Sequence, residues 1–224
     1  RFGQINDNRI SPHKYATRTT IMTPWPNRRN IASMRALTRL AEQFSISLAQ
    51  CLKQTEVSIH QLNDPYAQVD ASQELQLVDN IIAAYGGYQP LLGLQAGRYY
   101  HLDTYGMWGF ALISSPTLRD AIDLGLRYLD LTFAFNQVRL QEHDDEVCLM
   151  LDDSAIPKAC QQFLLDRDMS SIMTMFEELF NYRPLLKRVC FQYAQPTDLT
   201  IYQQTFGITP EFNAPYHSVC FAKS

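Results

Sequence analysis

The chain has 224 residues, 46% of them hydrophobic and 19% charged, which excludes a disordered or fibrous protein and leaves room for one large domain or two small ones. Net charge is -4, yet residues 1–30 hold six basic side chains against Asp7 alone, so the remainder of the chain is strongly acidic. An acidic body is a poor match for a phosphate backbone and is excluded as a nucleic-acid-reading surface.

Residues 1–30 are polar, basic and broken by Pro12, Pro24 and Pro26, the pattern of an arm or solvated leader. The body is then a single domain over residues 31–224. One helix is expected over 31–52, with Leu37, Leu40, Ala41, Phe44, Leu48, Cys51 and Leu52 on one face. Ser58 caps a short helix ending at the Asn63-Asp64-Pro65 turn. Asp70 and Gln73 form a capping pair for a helix that reaches Tyr85, with Leu75, Val78, Ile81, Ile82 and Tyr85 inward and Gly86-Gly87 as its stop. Two short helices follow over 90–100 and 105–113. Ser115-Pro116 opens a further helix with proline in its first turn. That helix buries Leu118, Ala121, Ile122, Gly125 and Leu129 and exposes Arg119, Asp120, Asp123 and Arg127.

After residue 134 the hydrophobic period changes from 3.6 to 2. Segments 136–142 and 146–152, joined by His143-Asp144-Asp145, form a hairpin. A long helix is expected over 159–181, with Ile172, Met175, Phe176, Leu179 and Phe180 on one stripe. A strand at 187–193, a helix at 197–206 stopped by Gly207, and short strands at 210–213 and 217–221 complete the chain. The expected class is α+β, mostly helical with a small antiparallel sheet.

The reactive groups of an enzyme are not legible. There is no Gly-x-Ser-x-Gly elbow, no phosphate loop and no dinucleotide fingerprint. The five histidines never fall at i,i+4 on a helix, so neither a metal nor a cofactor is expected. His101 and Asp103 could form a base and its orienter, but a loop histidine beside a capping carboxylate is the plainer reading. Glu177 and Glu178 point about 100° apart on a helix and read as a solvated face. The five cysteines (Cys51, Cys148, Cys160, Cys190, Cys220) are odd in number with no Cys-x-x-Cys pair, which reads as buried, reduced thiols. No apolar run approaches the roughly 18–20 residues of a membrane span and no signal peptide opens the chain, so the expected setting is cytoplasmic, without a membrane partner. The chain starts at Arg1 rather than methionine, which points to native residues before it.

Aromatic side chains crowd into residues 99–135. Such density fills cores, but with a few polar tips it also lines small-molecule pockets. The candidate lining is Tyr105, Trp108, Phe110, Tyr128, Phe133 and Phe135, with Arg127 beside them. Gly106 and Gly109 would let elements approach a ligand or each other closely.

The run Tyr105-Gly106-Met107-Trp108-Gly109-Phe110-Ala111-Leu112-Ile113-Ser114-Ser115-Pro116-Thr117-Leu118-Arg119-Asp120-Ala121 resembles a known signature, Tyr-Gly-x-x-Gly-x-Ala-Leu-x-Ser-Ser-Pro-Thr-Leu-x-x-Ala. It is that of the N-terminal arabinose-binding-like sensor domain in one branch of AraC/XylS-type transcription regulators. Further matches follow in order: Ser58 to Pro65, Arg127-Tyr128, Asp144-Asp145-Glu146-Val147, and Phe206-Gly207 before Phe212-Asn213-Ala214-Pro215. The resemblance covers about residues 33–222. It implies a domain that binds a small effector and forms homodimers, with promoter DNA read by a C-terminal helix-turn-helix pair absent from this chain. The sugar-binding relatives are built on a jelly roll, which this mostly helical pattern does not match, so no sugar contacts carry over.

The apolar, aromatic lining, with Arg98, Arg127 and Arg139 nearby in sequence, favours an amphipathic or anionic effector such as a fatty acid or aromatic acid. The rival reading is a ligand-independent dimerisation or protein-interaction module of the same regulator. A cavity above a few hundred cubic ångströms would favour the sensor, and a flat apolar surface the rival.

Overall fold

The computed structural model describes Trp25, residues 28–180 and residues 186–222. Most of the basic leader therefore lies outside the described residues. Its last residues belong to the fold. Strand β1 (Arg29–Asn30) pairs antiparallel with β2 (Gln68–Val69), and Arg29 is only 5% exposed, held by Glu74 rather than solvated.

The expected first helix is two. Helix α1 (Ala32–Gln43) stops where Ser45 takes a positive φ of 58°, and α2 (Leu48–Cys51) restarts behind a capping box formed by Ser47 and Gln50. The apolar period runs through the break, which is why periodicity alone joins the two. Ser58 and Gln61 repeat the same device at the start of α3 (Ile59–Asn63), and Asp70 with Gln73 at the start of α4 (Ala71–Tyr85). Such caps contribute about 1 kcal/mol each by satisfying orphan amides. Gly86, at φ 93°, closes α4 as expected. The inner face of α4 is rotated from the sequence reading: Leu77 and the carboxylate of Glu74 are fully buried, while Leu75 and Tyr85 are half-buried.

Helix α5 (Pro90–Gly97) lies along α8 (Lys158–Phe180), the longest helix of the described residues. Between them in sequence come a 3-10 turn (Leu102–Tyr105), α6 (Met107–Ile113) and α7 (Leu118–Arg127). Pro116 sits outside α7 rather than in its first turn. Thr117 is the cap, accepting from the Asp120 amide at 3.1 Å.

The hairpin forms as expected from β3 (Gln137–Glu142) and β4 (Glu146–Asp152). With β5 (Leu186–Cys190) and β6 (His217–Ala222) it makes an antiparallel sheet in the order β3-β4-β6-β5. Helix α9 (Thr200–Phe206) ends at Gly207. The strand expected at 210–213 is reduced to one bridge between Glu211 and Cys190. Leu149, Leu151, Val189, Val219 and Phe221 turn one sheet face onto α8.

One reading of composition is overturned. Cys148 and Cys220 face each other in the β4–β6 register, 4.0 Å apart at Cα, and are joined by a disulfide. Their separation of 72 residues hides from the sequence what strand pairing brings together. Cys51, Cys160 and Cys190 are free and buried.

Candidate functional site

Helices α6 and α7 fold over the C-terminal half of α8 and enclose a small apolar pocket against the β3–β4 hairpin. Trp108 and Leu112 of α6, with Ala121, Ile122, Gly125 and Leu126 of α7, form its roof. Ile172, Met175, Phe176 and Leu179 of α8 form its floor, and Val138 and Leu149 close the sheet side. Trp108 is fixed by its indole N–H, which donates to the Gly125 carbonyl at 3.2 Å. Gly106, at φ 57°, joins the 3-10 turn to α6. Gly109 allows α6 to sit on that turn, because a Cβ there would come within 1.8 Å of the Leu102 carbonyl oxygen.

The pocket holds about 100 Å³. That is below the few hundred cubic ångströms expected of a sensor and below the roughly 150 Å³ apolar cavity that accepts benzene, so even a ligand the size of a single ring must part the roof from the floor. Its polar groups are few: the hydroxyls of Tyr105, Thr132 and Ser171 and the carboxylate of Asp168. Burial pushes the Tyr105 hydroxyl well above its ordinary value, with Asp168 adding to the effect. Tyr105 thus stays a neutral donor at physiological pH.

Asp168 belongs to a buried charge cluster behind the pocket. Its Oδ1 accepts from Arg167 at 2.9 Å, and its Oδ2 accepts from Asn136 Nδ2 at 2.7 Å and from the amide of Phe135 at 3.3 Å. Arg167 also donates to Phe133 O at 2.7 Å and to Glu74 at 3.2 Å, and Glu74 faces Arg29 at 3.2 Å. The Arg29 guanidinium lies 3.9 Å from the Phe135 ring centroid, and desolvation lowers its pKa. The cluster fixes the segment 133–136, of which Ala134 lines the pocket.

Tyr105 and Trp108 line the pocket. Phe133 packs on Tyr100 and Tyr105, and Phe135 packs under Arg29 with Trp25 edge-on to it. Phe110 and Tyr128 are 64% and 49% exposed, and Arg127 is exposed at the end of α7, so these three face solvent rather than the pocket. The aliphatic floor from α8 was legible only as a core stripe. Nothing in the sequence marked Asp168 as a wall residue.

Other clusters are accounted for structurally. His101 pairs with Glu178 rather than Asp103, and Glu178 also accepts from the Leu102 amide at 2.8 Å, so this carboxylate anchors the 3-10 turn instead of forming a solvated face. His143, Glu146 and Cys148 bring donor atoms within 4.8 Å, but Cys148 is in the disulfide and Glu146 is bound by Arg188. No helix among the described residues is long and apolar enough to cross a membrane.

Comparison with solved structures finds two likenesses of fold. The transcriptional regulator CdpR from Pseudomonas aeruginosa superposes with a TM-score of 0.60 at 18% identity, covering 85% of this chain and 54% of that one. The Fe(II) unliganded H-NOX protein from K. algicida superposes at 0.51 and 12% identity over 88% of this chain and 97% of that one, a likeness of fold alone. Residues 46–224 match the family described as the arabinose-binding domain of AraC transcription regulators, N-terminal, and the chain belongs to that family. An uncharacterised HTH-type transcriptional regulator of Mycobacterium tuberculosis is 29% identical over 65% of this chain and 42% of its own length. The ornithine utilization regulator of Pseudomonas aeruginosa is 25% identical over 84% of this chain and 55% of its own length. The chain spans about half the length of the curated relatives it matches.

Proposed function

We propose that this chain senses a small amphipathic or anionic effector, such as a short fatty acid or an aromatic acid, in the pocket between the α6–α7 lobe and α8. Occupancy would control promoter binding by a C-terminal helix-turn-helix domain through the geometry of a homodimer in the cytoplasm. The observation that carries the reading is the pocket itself: an apolar cleft with a few hydroxyls, roofed by the two short helices that bear the family signature. Because the pocket holds only about 100 Å³, an effector would bind by favouring a conformation in which the roof has moved outward, shifting the equilibrium by its difference in affinity for the two states.

The test is a panel of short alkanoic and aromatic acids scored by thermal shift, together with native mass spectrometry of the purified chain. A rise in Tm with at least one acid, abolished by Ala121→Trp, supports the reading. No shift across the panel and no copurified small molecule would leave the second reading, a ligand-independent dimerisation module. That reading has its own observation. Met107, Phe110 and Ile113 stand 80%, 64% and 60% exposed along the outer face of α6.

A further inference from the structure

Three side chains of metal-ligating type meet at the turn end of the β3–β4 hairpin. His143 and Glu146 flank its two-residue turn as a pair, and the His143 amide donates to the Glu146 carbonyl at 2.9 Å. Cys148 follows Glu146 by two residues on β4 and so shares its face of the sheet. That face is turned away from α8, since Leu149 and Leu151 point onto the helix. The donor atoms of His143, Glu146 and Cys148 lie within 4.8 Å of one another. Cys220 of β6, opposite Cys148 in the register, brings a fourth.

In the disulfide form the two sulfurs are committed to each other. As thiolates they would complete a set of two sulfurs, one imidazole and one carboxylate, which are the donors that suit zinc. Ligand atoms around tetrahedral zinc stand roughly 3.3–3.8 Å apart, so the three donors already gathered need only side-chain adjustment. Burial is graded across the site. Cys148 and Cys220 are buried, Glu146 is half-buried and His143 is exposed, which leaves a path for the ion from the turn. Arg188, bonded to Glu146, supplies the outer hydrogen bond that a ligating carboxylate keeps. Its charge offsets the single net negative charge of zinc with two thiolates and a carboxylate. A regulator of promoters works inside the cell, where thiols are held reduced, so the dithiol is the form in which this cluster would act.

We propose that His143, Glu146, Cys148 and Cys220 form a zinc site in the reduced chain, and that the disulfide is its oxidised, zinc-free alternative. In the exchange a low-molecular-weight disulfide accepts two electrons from the zinc-bound thiolates. Its S–S bond breaks to give two small thiolates, the Cys148–Cys220 bond forms, and the zinc ion leaves. Two small thiols drive the reverse.

The chain, reduced and stripped with a chelator under argon, would be titrated with cobalt(II), whose absorption spectrum reports tetrahedral thiolate ligation. One equivalent should bind, with sulfur-to-cobalt charge-transfer bands and strong visible bands, and one equivalent of zinc should displace it. The disulfide form should show neither set of bands. His143→Ala, at an exposed turn position, should weaken cobalt binding by at least about tenfold, and Cys220→Ser should lose most of the charge transfer. Absence of the bands in the reduced wild type would overturn the site. So would bands of full strength in Cys220→Ser, which would assign the metal to Cys51, Cys160 or Cys190, or an unweakened affinity in His143→Ala.

Discussion

The two halves of α8 are built on different principles. Its N-terminal half carries three consecutive buried charged residues, Asp166, Arg167 and Asp168, which point in three directions about 100° apart and tie down three different parts of the chain. Asp166 accepts from Tyr88, Tyr193 and Tyr202, Arg167 reaches Glu74 and Tyr100, and Asp168 holds residues 135–136. The C-terminal half offers mainly Ile172, Met175, Phe176 and Leu179 to a lobe whose own buried apolar residues are Leu102, Trp108, Leu112 and Ala121, with Glu178 also bonding the Leu102 amide. One half is fixed by directional bonds that tolerate no sliding. The other is held largely by non-directional contacts around a void, alongside the bonds of Glu178 to the 3-10 turn, and such contacts shift more readily than a buried charge network. A sensing surface placed on the second and anchored by the first can move without unfolding the domain.

Removing the anchor should cost the most. Arg167→Met leaves Glu74 and Asp168 buried without their shared cation and should cost about 3–5 kcal/mol in urea unfolding. A loss below about 1 kcal/mol would mean that the cluster is not what holds the N-terminal half.

Asp166 supplies a pH test of the same half. Burial pushes its carboxyl up to about 7, although the hydroxyls of Tyr193, Tyr88 and Tyr202 oppose that by stabilising the charged form. A carboxyl with a raised folded-state pKa binds its proton more tightly in the native chain than in the unfolded one. Its contribution is therefore complete below about pH 4 and is lost as pH rises toward 7, an effect on the order of 4 kcal/mol. Wild type should lose that much relative to Asp166→Asn between pH 4 and pH 8. Parallel stability curves for the two proteins would show that the buried carboxyl titrates normally.

A pair of glycine substitutions sharpens the contrast. In Gly97→Ala the new Cβ would meet Ser170 Cβ at 2.4 Å and the Arg167 carbonyl at 2.5 Å, against the rigid half of α8. In Gly109→Ala it would meet the Leu102 carbonyl inside the lobe. Both are overpacked, at about 1–3 kcal/mol, but the consequences should differ in extent. Hydrogen exchange should rise across α4, α5 and α8 in the first variant and only across residues 102–127 in the second. Equal spread in both would mean that the lobe and the anchor unfold as one unit.

How much of this was legible in the sequence follows from what each signal depends on. Caps such as Ser58 and the pair Asp70–Gln73 are local, and they placed helix starts to the residue. The hairpin and the stop at Gly86 are local too. The break at Ser45 was not legible, because Phe44 and Leu48 keep the apolar rhythm across it. The disulfide was hidden because it depends on a strand register formed 72 residues apart. Asp166-Arg167-Asp168 carries no pattern of its own in the sequence, and only distant partners such as Glu74, Tyr88, Tyr193 and Asn136 make it a core. The pocket was half visible for a related reason. Tyr105 and Trp108 announce themselves by aromaticity, whereas Ile172, Met175 and Leu179 look like any helix stripe until α6 and α7 are laid across them.

The smallest expected change in stability tests the outer side of the lobe. Phe110 is 64% exposed on α6 between Met107 and Ile113, so Phe110→Ser removes little buried area and should alter the stability of the isolated chain by less than about 0.5 kcal/mol. An apolar row of this kind exposes surface that water solvates poorly, and a second copy of the chain would cover it. If the row is a dimer face, the same substitution should shift the monomer–dimer equilibrium in sedimentation at micromolar concentration. The comparison of the two halves of α8 then gains a mechanism: a roof that moves over the pocket carries the dimer face with it. If self-association is unchanged, the row has no part in dimerisation, and effector control must pass through the floor of the pocket, where Phe176 stacks on Phe221 of β6 at 4.5 Å.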